Sequence, residues 1–212
     1  MRIRIKDAAV LAQHSYRPNN IQSPRIVDDL DEGGVQVYLT ENGLLLLPGS
    51  NSVLDYFHFN LRVFNVGNQG YRLADSTTEA GASGTRWHQG FLAYSRKVFD
   101  WLGHRRPEMI IGHSLGAAAT QILSKTYNRH GIGFASPRPK KTSGAVQNDS
   151  KCLSICRVDD VVCALPPNFN HMGDARFLEP VSNNWGFDHS MKNYRKVLDS
   201  NKGPDSVPTT WG

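Results

Sequence analysis

The sequence predicts an α/β domain built on a mostly parallel central sheet with helices on both faces, and three observations carry that prediction. Short apolar runs suited to buried strands alternate with stretches of helical periodicity along most of the chain. A Gly-x-Ser-x-Gly pentapeptide at 112–116 joins the apolar run Met109-Ile110-Ile111 to Ala117-Ala118-Ala119, which reads as strand, tight turn and helix start. The 212 residues, 39% hydrophobic, suffice for one sizeable core, and no linker-like or repetitive stretch divides them. Residues 1–212 are therefore expected to form a single domain with a polar tail from about 201.

Taken in order, periodicity puts the first helix at 7–16 and paired strands at 35–40 and 44–47. Glu41-Asn42-Gly43 joins that pair, and Asn-Gly between two apolar runs is a strong hairpin signal. A further strand is expected at 62–66, then a loop of Ser, Thr, Gly and Ala at 72–86 and a helix at 88–102. The strand at 108–112 leads through the turn into a helix at 114–127, followed by a strand at 131–135 and a polar, basic connection at 137–147. Leu153, Ile155 and Arg157 alternate with Cys152, Ser154 and Cys156, which predicts a strand over 151–158. Met191, Tyr194, Val197 and Leu198 give the last helix, 189–199, an amphipathic face. From Asn201-Lys202-Gly203-Pro204 onward the chain is polar and should fray unless Trp211 docks.

The pentapeptide carries the chemistry. A serine held at a strained turn with its hydroxyl exposed needs small neighbours, and Gly112 and Gly116 supply them for Ser114. The amides at the start of the following helix then point where an oxyanion would form. Downstream, in the order Ser, Asp, His that such elbows require, lie Asp160 in Arg157-Val158-Asp159-Asp160 and His189 in Phe187-Asp188-His189-Ser190. Asp159 competes with Asp160 but would point to the opposite face of a strand, and is read as a solvated partner for a nearby base. His171 competes with His189; a histidine near a loop is more often a structural hydrogen-bonder than a base. His88 and His113 read as structural residues near the site.

Six segments in order resemble the class 3 (fungal-type) triacylglycerol lipases, from Ala8 to about Leu198. They are Leu47-Pro48-Gly49-Ser50-Asn51-Ser52, Trp87-His88-Gln89-Gly90-Phe91, Gly112-His113-Ser114-Leu115-Gly116-Ala117, Gly133-Phe134-Ala135-Ser136-Pro137-Arg138, Asp160-Val161-Val162-Cys163-Ala164-Leu165-Pro166-Pro167 and Asp188-His189-Ser190-Met191-Lys192-Asn193-Tyr194. The resemblance implies the α/β-hydrolase fold and a triad of Ser114, Asp160 and His189, with Asp160 favoured over Asp159 by its spacing to Leu165-Pro166-Pro167. It further implies an oxyanion hole formed by Ser50 and the backbone amide of Leu115. Pro48 stands where the family usually has Arg, Cys163 where it has Pro and Ala117 where Gly is frequent; Pro48 removes the hydrogen bonds an arginine would give the oxyanion loop.

The activity that the resemblance implies is ester hydrolysis through an acyl-enzyme on Ser114, on an ester or lipid substrate, with no metal and no organic cofactor. Thioesterase or phospholipase chemistry would use the same triad, and a non-catalytic binding protein on the same fold is the alternative from another class. In the family the segment after Ser50, covering 51–59, forms a lid; its large apolar residues fit a buried helix or strand equally well. Transient contact with a lipid interface is the corresponding partner expectation.

The remaining features exclude other classes. Cys152, Cys156 and Cys163 are odd in number and close together on or just after one expected strand, so buried free thiols are expected rather than a disulfide framework or a metal site. The formal net charge of +5 comes from scattered bases, never more than two in a row, as in Arg105-Arg106 and Lys140-Lys141, so no nucleic-acid partner is expected. The start Met-Arg-Ile-Arg-Ile-Lys has no apolar signal-peptide core, which makes cytoplasmic residence the default expectation, with secretion left open.

Overall fold

A computed structural model of the chain describes residues 1–49, 63–181, 189–200 and 207–212. In chain order the elements are β1 (Ile3–Arg4), α1 (Ile5–His14), β2 (Ile26–Glu32), β3 (Val35–Thr40), β4 (Leu44–Leu47), β5 (Val63–Val66), β6 (Gln69–Arg72), β7 (Thr78–Ala80), β8 (Arg86–His88) and α2 (Gln89–Leu102). They continue as β9 (Met109–His113), α3 (Leu115–Tyr127), β10 (His130–Phe134), β11 (Cys152–Arg157), β12 (Asp174–Leu178), α4 (Met191–Asp199) and β13 (Thr210–Trp211).

Seven strands form the central sheet in the order β12-β11-β10-β9-β4-β3-β2. The pairings from β12 to β4 are parallel, and β3 and β2 add antiparallel strands at one side. The strands nearest the centre are apolar on both faces, as a doubly covered sheet demands. Leu44 and Leu46 of β4, with Met109 and Ile111 of β9, pack with Ile5, Ala8, Ala9 and Ala12 of α1 and with the Met191, Tyr194, Val197 and Leu198 stripe of α4. Leu45 and Leu47, with Ile110, pack instead with Phe91, Leu92 and Val98 of α2 and with Ala118, Ile122 and Leu123 of α3. Strand alternation thus divides the core between two helix pairs, and each fully buried Leu or Ile contributes about 1.5–3 kcal/mol.

Several elements differ from expectation for identifiable reasons. The first helix begins two residues early, at Ile5, directly after β1 pairs with β13; that pairing sets Trp211 opposite Ile3. The indole donates to the Lys151 carbonyl at 3.3 Å and meets His130 edge-on, so the chain's end is docked at 207–212, while 201–206 lie outside the described residues. The strand expected at 62–66 is not in the central sheet: β5 pairs antiparallel with β6. The expected loop at 72–86 holds β7, which pairs with β8, and His88 ends that strand and caps α2 rather than opening its first turn. Among the described residues no helix is long and apolar enough to cross a membrane.

Candidate active site

The site is assembled at the C-terminal ends of β9 and β11, where open α/β sheets collect their functional side chains. β9 ends at His113 and α3 begins at Leu115, so the whole reversal falls on Ser114, at φ 55° and ψ −123°. Such a conformation costs a non-glycine residue of order 1–3 kcal/mol and needs surroundings that enforce it. Two glycines make the enforcement feasible. A Cβ on Gly112 would lie 2.4 Å from the Gly116 carbonyl oxygen, and one on Gly116 would lie 2.0 Å from the Leu47 carbonyl oxygen. Ser114 N–H is held by the Phe134 carbonyl at 2.9 Å.

Around this turn the fold brings together the serine, aspartate and histidine that the sequence singles out. Ser114 Oγ lies 2.6 Å from His189 Nε2. His189 Nδ1 faces both oxygens of Asp160, at 3.1 and 2.9 Å. A carboxylate can only accept, so Nδ1 carries the proton and Nε2 is the acceptor for the serine hydroxyl. Asp160 lies shortly after β11, caps the short 3-10 turn Val161–Ala164 and accepts from Val162 N–H at 3.1 Å. Burial pushes its carboxyl up, but the electrostatic attraction of the facing His189 and the hydrogen bonds from His189, Tyr194 and Val162 outweigh this and hold it below the ordinary carboxylate range.

Two tyrosines complete the network, and neither is singled out by the sequence. Tyr194 lies on the inward face of α4, where its period-matched position reads only as core; its hydroxyl donates to Asp160 Oδ2 at 2.8 Å and accepts from Arg157 N–H at 3.1 Å. Tyr16, just past α1, accepts from Gly49 N–H at 2.8 Å and lies 2.5 Å from His113 Nδ1. His113 Nε2 lies 2.9 Å from the His189 carbonyl oxygen. That oxygen must accept, so His113 is protonated at Nε2 and accepts the hydrogen bond of the Tyr16 hydroxyl at Nδ1. Burial, and to a lesser degree electrostatic repulsion from His189, pushes the His113 pKa down to about 3, in keeping with a neutral ring. A single relay therefore ties the backbone at Gly49 to the loop bearing His189. No composition or motif signal assigns either hydroxyl a role, although Tyr194 closes the segment that bears His189, since each contact is made only by tertiary packing.

The rival candidates sit elsewhere. Asp159 makes a two-pronged ion pair with Arg157, at 3.0 and 2.7 Å. Its side chain is 9% exposed, so it is a buried partner, not the solvated one expected. The acid is drawn inside because Arg157, at the buried end of β11, has to be neutralised there. His171 Nε2 donates to the Cys163 carbonyl at 3.2 Å and is near Cys156 Sγ. His88 caps α2 by accepting from Phe91 N–H and donates to the Arg72 carbonyl; burial pushes its pKa down to about 4. Leu115 occupies the first position of α3, where its N–H has no acceptor within the helix. Ser50, the other expected oxyanion donor, and the expected lid at 51–59 lie outside the described residues. Gly49 immediately precedes them, and a Cβ there would lie 2.8 Å from Ser114 Cβ, which sets Gly49 itself against the elbow. Cys152, Cys156 and Cys163 are all buried free thiols.

A hydroxyl bonded to an imidazole whose far nitrogen faces a buried carboxylate can deliver an alkoxide-like nucleophile to a carbonyl carbon. No family profile and no curated protein matches the chain. Solved structures do. A Rhizomucor miehei lipase in complex with its propeptide matches with a TM-score of 0.53 and 16% identity, over 99% of this chain and 84% of that one. A nonglycosylated Yarrowia lipolytica lipase matches at 0.54 and 14%, over 84% and 82%. Lipase II from Rhizopus niveus matches at 0.53 and 17%, over 82% and 77%. The architecture is the α/β-hydrolase fold.

Proposed function

We propose that this chain is a serine carboxylic-ester hydrolase of the class 3 lipase kind, with Ser114 as nucleophile, His189 as general base and acid, and Asp160 as the carboxylate that orients the imidazole. The observation that carries the reading is the unbroken hydrogen-bonded chain from Ser114 through His189 to Asp160, set at a strand-turn-helix junction. The likeness of fold to three fungal lipases supports it.

Ser114 Oγ attacks the ester carbonyl carbon as His189 Nε2 takes its proton, and the imidazolium is stabilised across the Asp160 contact. The tetrahedral oxyanion is held by Leu115 N–H, with Ser50 as the second donor by resemblance to the family. Collapse breaks the bond to the alcohol oxygen, which leaves with the proton from His189. Water, deprotonated by the same nitrogen, then attacks the acyl-enzyme and frees the carboxylic acid and Ser114. The route uses neither metal nor organic cofactor. The substrate is an ester or lipid, met by transient contact with a lipid interface.

Hydrolysis of p-nitrophenyl esters of short and long acyl chains, below and above their solubility limits, tests the reading. Turnover should appear in the wild type, fall by about 10⁴-fold or more in Ser114→Ala, and withstand EDTA; a rate jump above the solubility limit reads action at a lipid interface. A folded wild type without turnover on any ester would favour a binding protein instead.

A further inference from the structure

A second cavity, of about 710 Å³, opens between the C-terminal halves of α2 and α3 and shares no lining residue with Ser114, Asp160 or His189. It lies toward the far end of α3 from the elbow; Leu115 and Lys125 are roughly 15 Å apart along that helix at 1.5 Å per residue. Its apolar wall is made by Trp87, Leu92, Phe99, Ile122 and Leu123. The size falls within the range of small-ligand sites, roughly 300–1,000 Å³.

One polar group in this wall is out of keeping with simple packing. Lys125 is 9% exposed, yet among the described residues its ammonium bonds only to Ser83 Oγ, at 2.8 Å, and pairs with no carboxylate. Glu79, the nearest acid in sequence to Ser83, is taken by Arg96. Asp100, the one carboxylate among the described lining residues, is on the exposed side of α2. A buried cation without a counter-charge is costly, and the cost is removed when an anion joins it. A cavity with one apolar wall, a polar rim that includes Asn128, Gln147, Asn148 and the Glu79-paired Arg96, and a buried cation at Lys125 fits an anionic amphiphile: carboxylate at Lys125 and Ser83, hydrocarbon against the aromatic and aliphatic wall.

We infer that this cavity binds a free medium- or long-chain fatty carboxylate through Lys125. The inference stands on the cavity and does not require Ser114 to be a nucleophile, although a fatty carboxylate is what the proposed hydrolysis releases. Decanoate binding is measured by calorimetry on Ser114→Ala, so that no turnover intervenes, and again with Lys125→Met, Lys125→Arg or Ser83→Asp added. Lys125→Met should weaken decanoate at least about tenfold, the loss of one charge-assisted contact, and should keep or raise Tm because it removes an unpaired buried charge. Lys125→Arg should bind within about threefold of the parent. Ser83→Asp, made on an exposed loop, should abolish binding by supplying the counter-charge from the protein. Decanol should bind more weakly than decanoate to the parent, and inorganic phosphate should not displace decanoate. Unchanged decanoate affinity in both Lys125→Met and Ser83→Asp, no binding to the parent, or displacement by phosphate each overturns the inference. Failure of ester hydrolysis with Lys125-dependent decanoate binding would remove the proposed enzyme while leaving this site standing.

Discussion

At the scale of single residues, function rests on hydroxyls and rings held by more contacts than the reaction itself needs. Tyr16 bridges Gly49 N–H and His113, and through His113 the backbone of His189. Tyr16→Phe leaves a backbone donor unpaired beside Ser114; kcat on a p-nitrophenyl ester should fall about tenfold with KM little changed, given about 1–3 kcal/mol for an orphaned buried donor. An unaltered kcat would remove Tyr16 from the supporting network. The two neighbouring aspartates make a sharper pair. Asp160→Asn should lower kcat by about 10⁴-fold with the fold kept. Asp159→Asn should leave kcat within about threefold but lower stability by about 1–3 kcal/mol, because it replaces a charge-assisted pair with the buried Arg157 guanidinium by a neutral amide. The reverse pattern in kinetics and urea midpoints would exchange their roles. Ser114, Asp160 and His189 are legible because each sits in a short motif whose order is fixed; Tyr16 and Tyr194 are not, because a tyrosine on an apolar helix face reads the same whether or not its hydroxyl finds a carboxylate.

At the scale of elements, the same contrast separates the inner strands from the outer ones. β4, β9, β10 and β11 are covered on both faces; β4 and the start of β9 are continuous apolar runs, and β10 and β11 interleave apolar residues with small ones, so the sequence marks all four. The two edges, β2 and β12, are each half solvated, and Ile26-Val27-Asp28-Asp29-Leu30-Asp31-Glu32 hides its strand among acids. Those charges also deter pairing with another chain at the open edge. The elbow is legible as a unit because strand, glycine turn and helix constrain one another over few residues. Its tolerance is small: the Gly116 Cβ position lies 2.0 Å from the Leu47 carbonyl oxygen, so Gly116→Ala must push α3 away from β4. The expected cost of about 1–3 kcal/mol would lower Tm by several degrees by scanning calorimetry. A variant melting with the wild type would show that the turn has slack the close approach denies.

At the scale of the molecule, burial of neutral histidines and of an ionised aspartate sets the pH response. His88 and His113 are pushed down to about 4 and about 3, mainly by burial, whereas each titrates near 6.5 once unfolded. Between those values the unfolded chain binds more protons than the folded one, so stability is full above about pH 6.5 and falls as the solution is acidified. The slope should approach ~1.4 kcal/mol per pH unit for each histidine. Asp160, held below the ordinary carboxylate range, acts in the same direction: its contribution is present above the ordinary carboxylate value and is lost on further acidification. Urea midpoints between about pH 4.5 and 7 should show this slope, and His88→Asn, which can still cap α2, should lessen it by one histidine's share; a flat profile would mean these rings are not held neutral. The central claim, that Ser114 is a nucleophile activated by His189, is tested most directly by reaction with an alkyl fluorophosphonate followed by peptide mass spectrometry. Stoichiometric modification is expected at Ser114 in the wild type, and a rate at least about 10³-fold slower in His189→Ala. Modification at another residue, or at Ser114 with equal speed in both proteins, would contradict it.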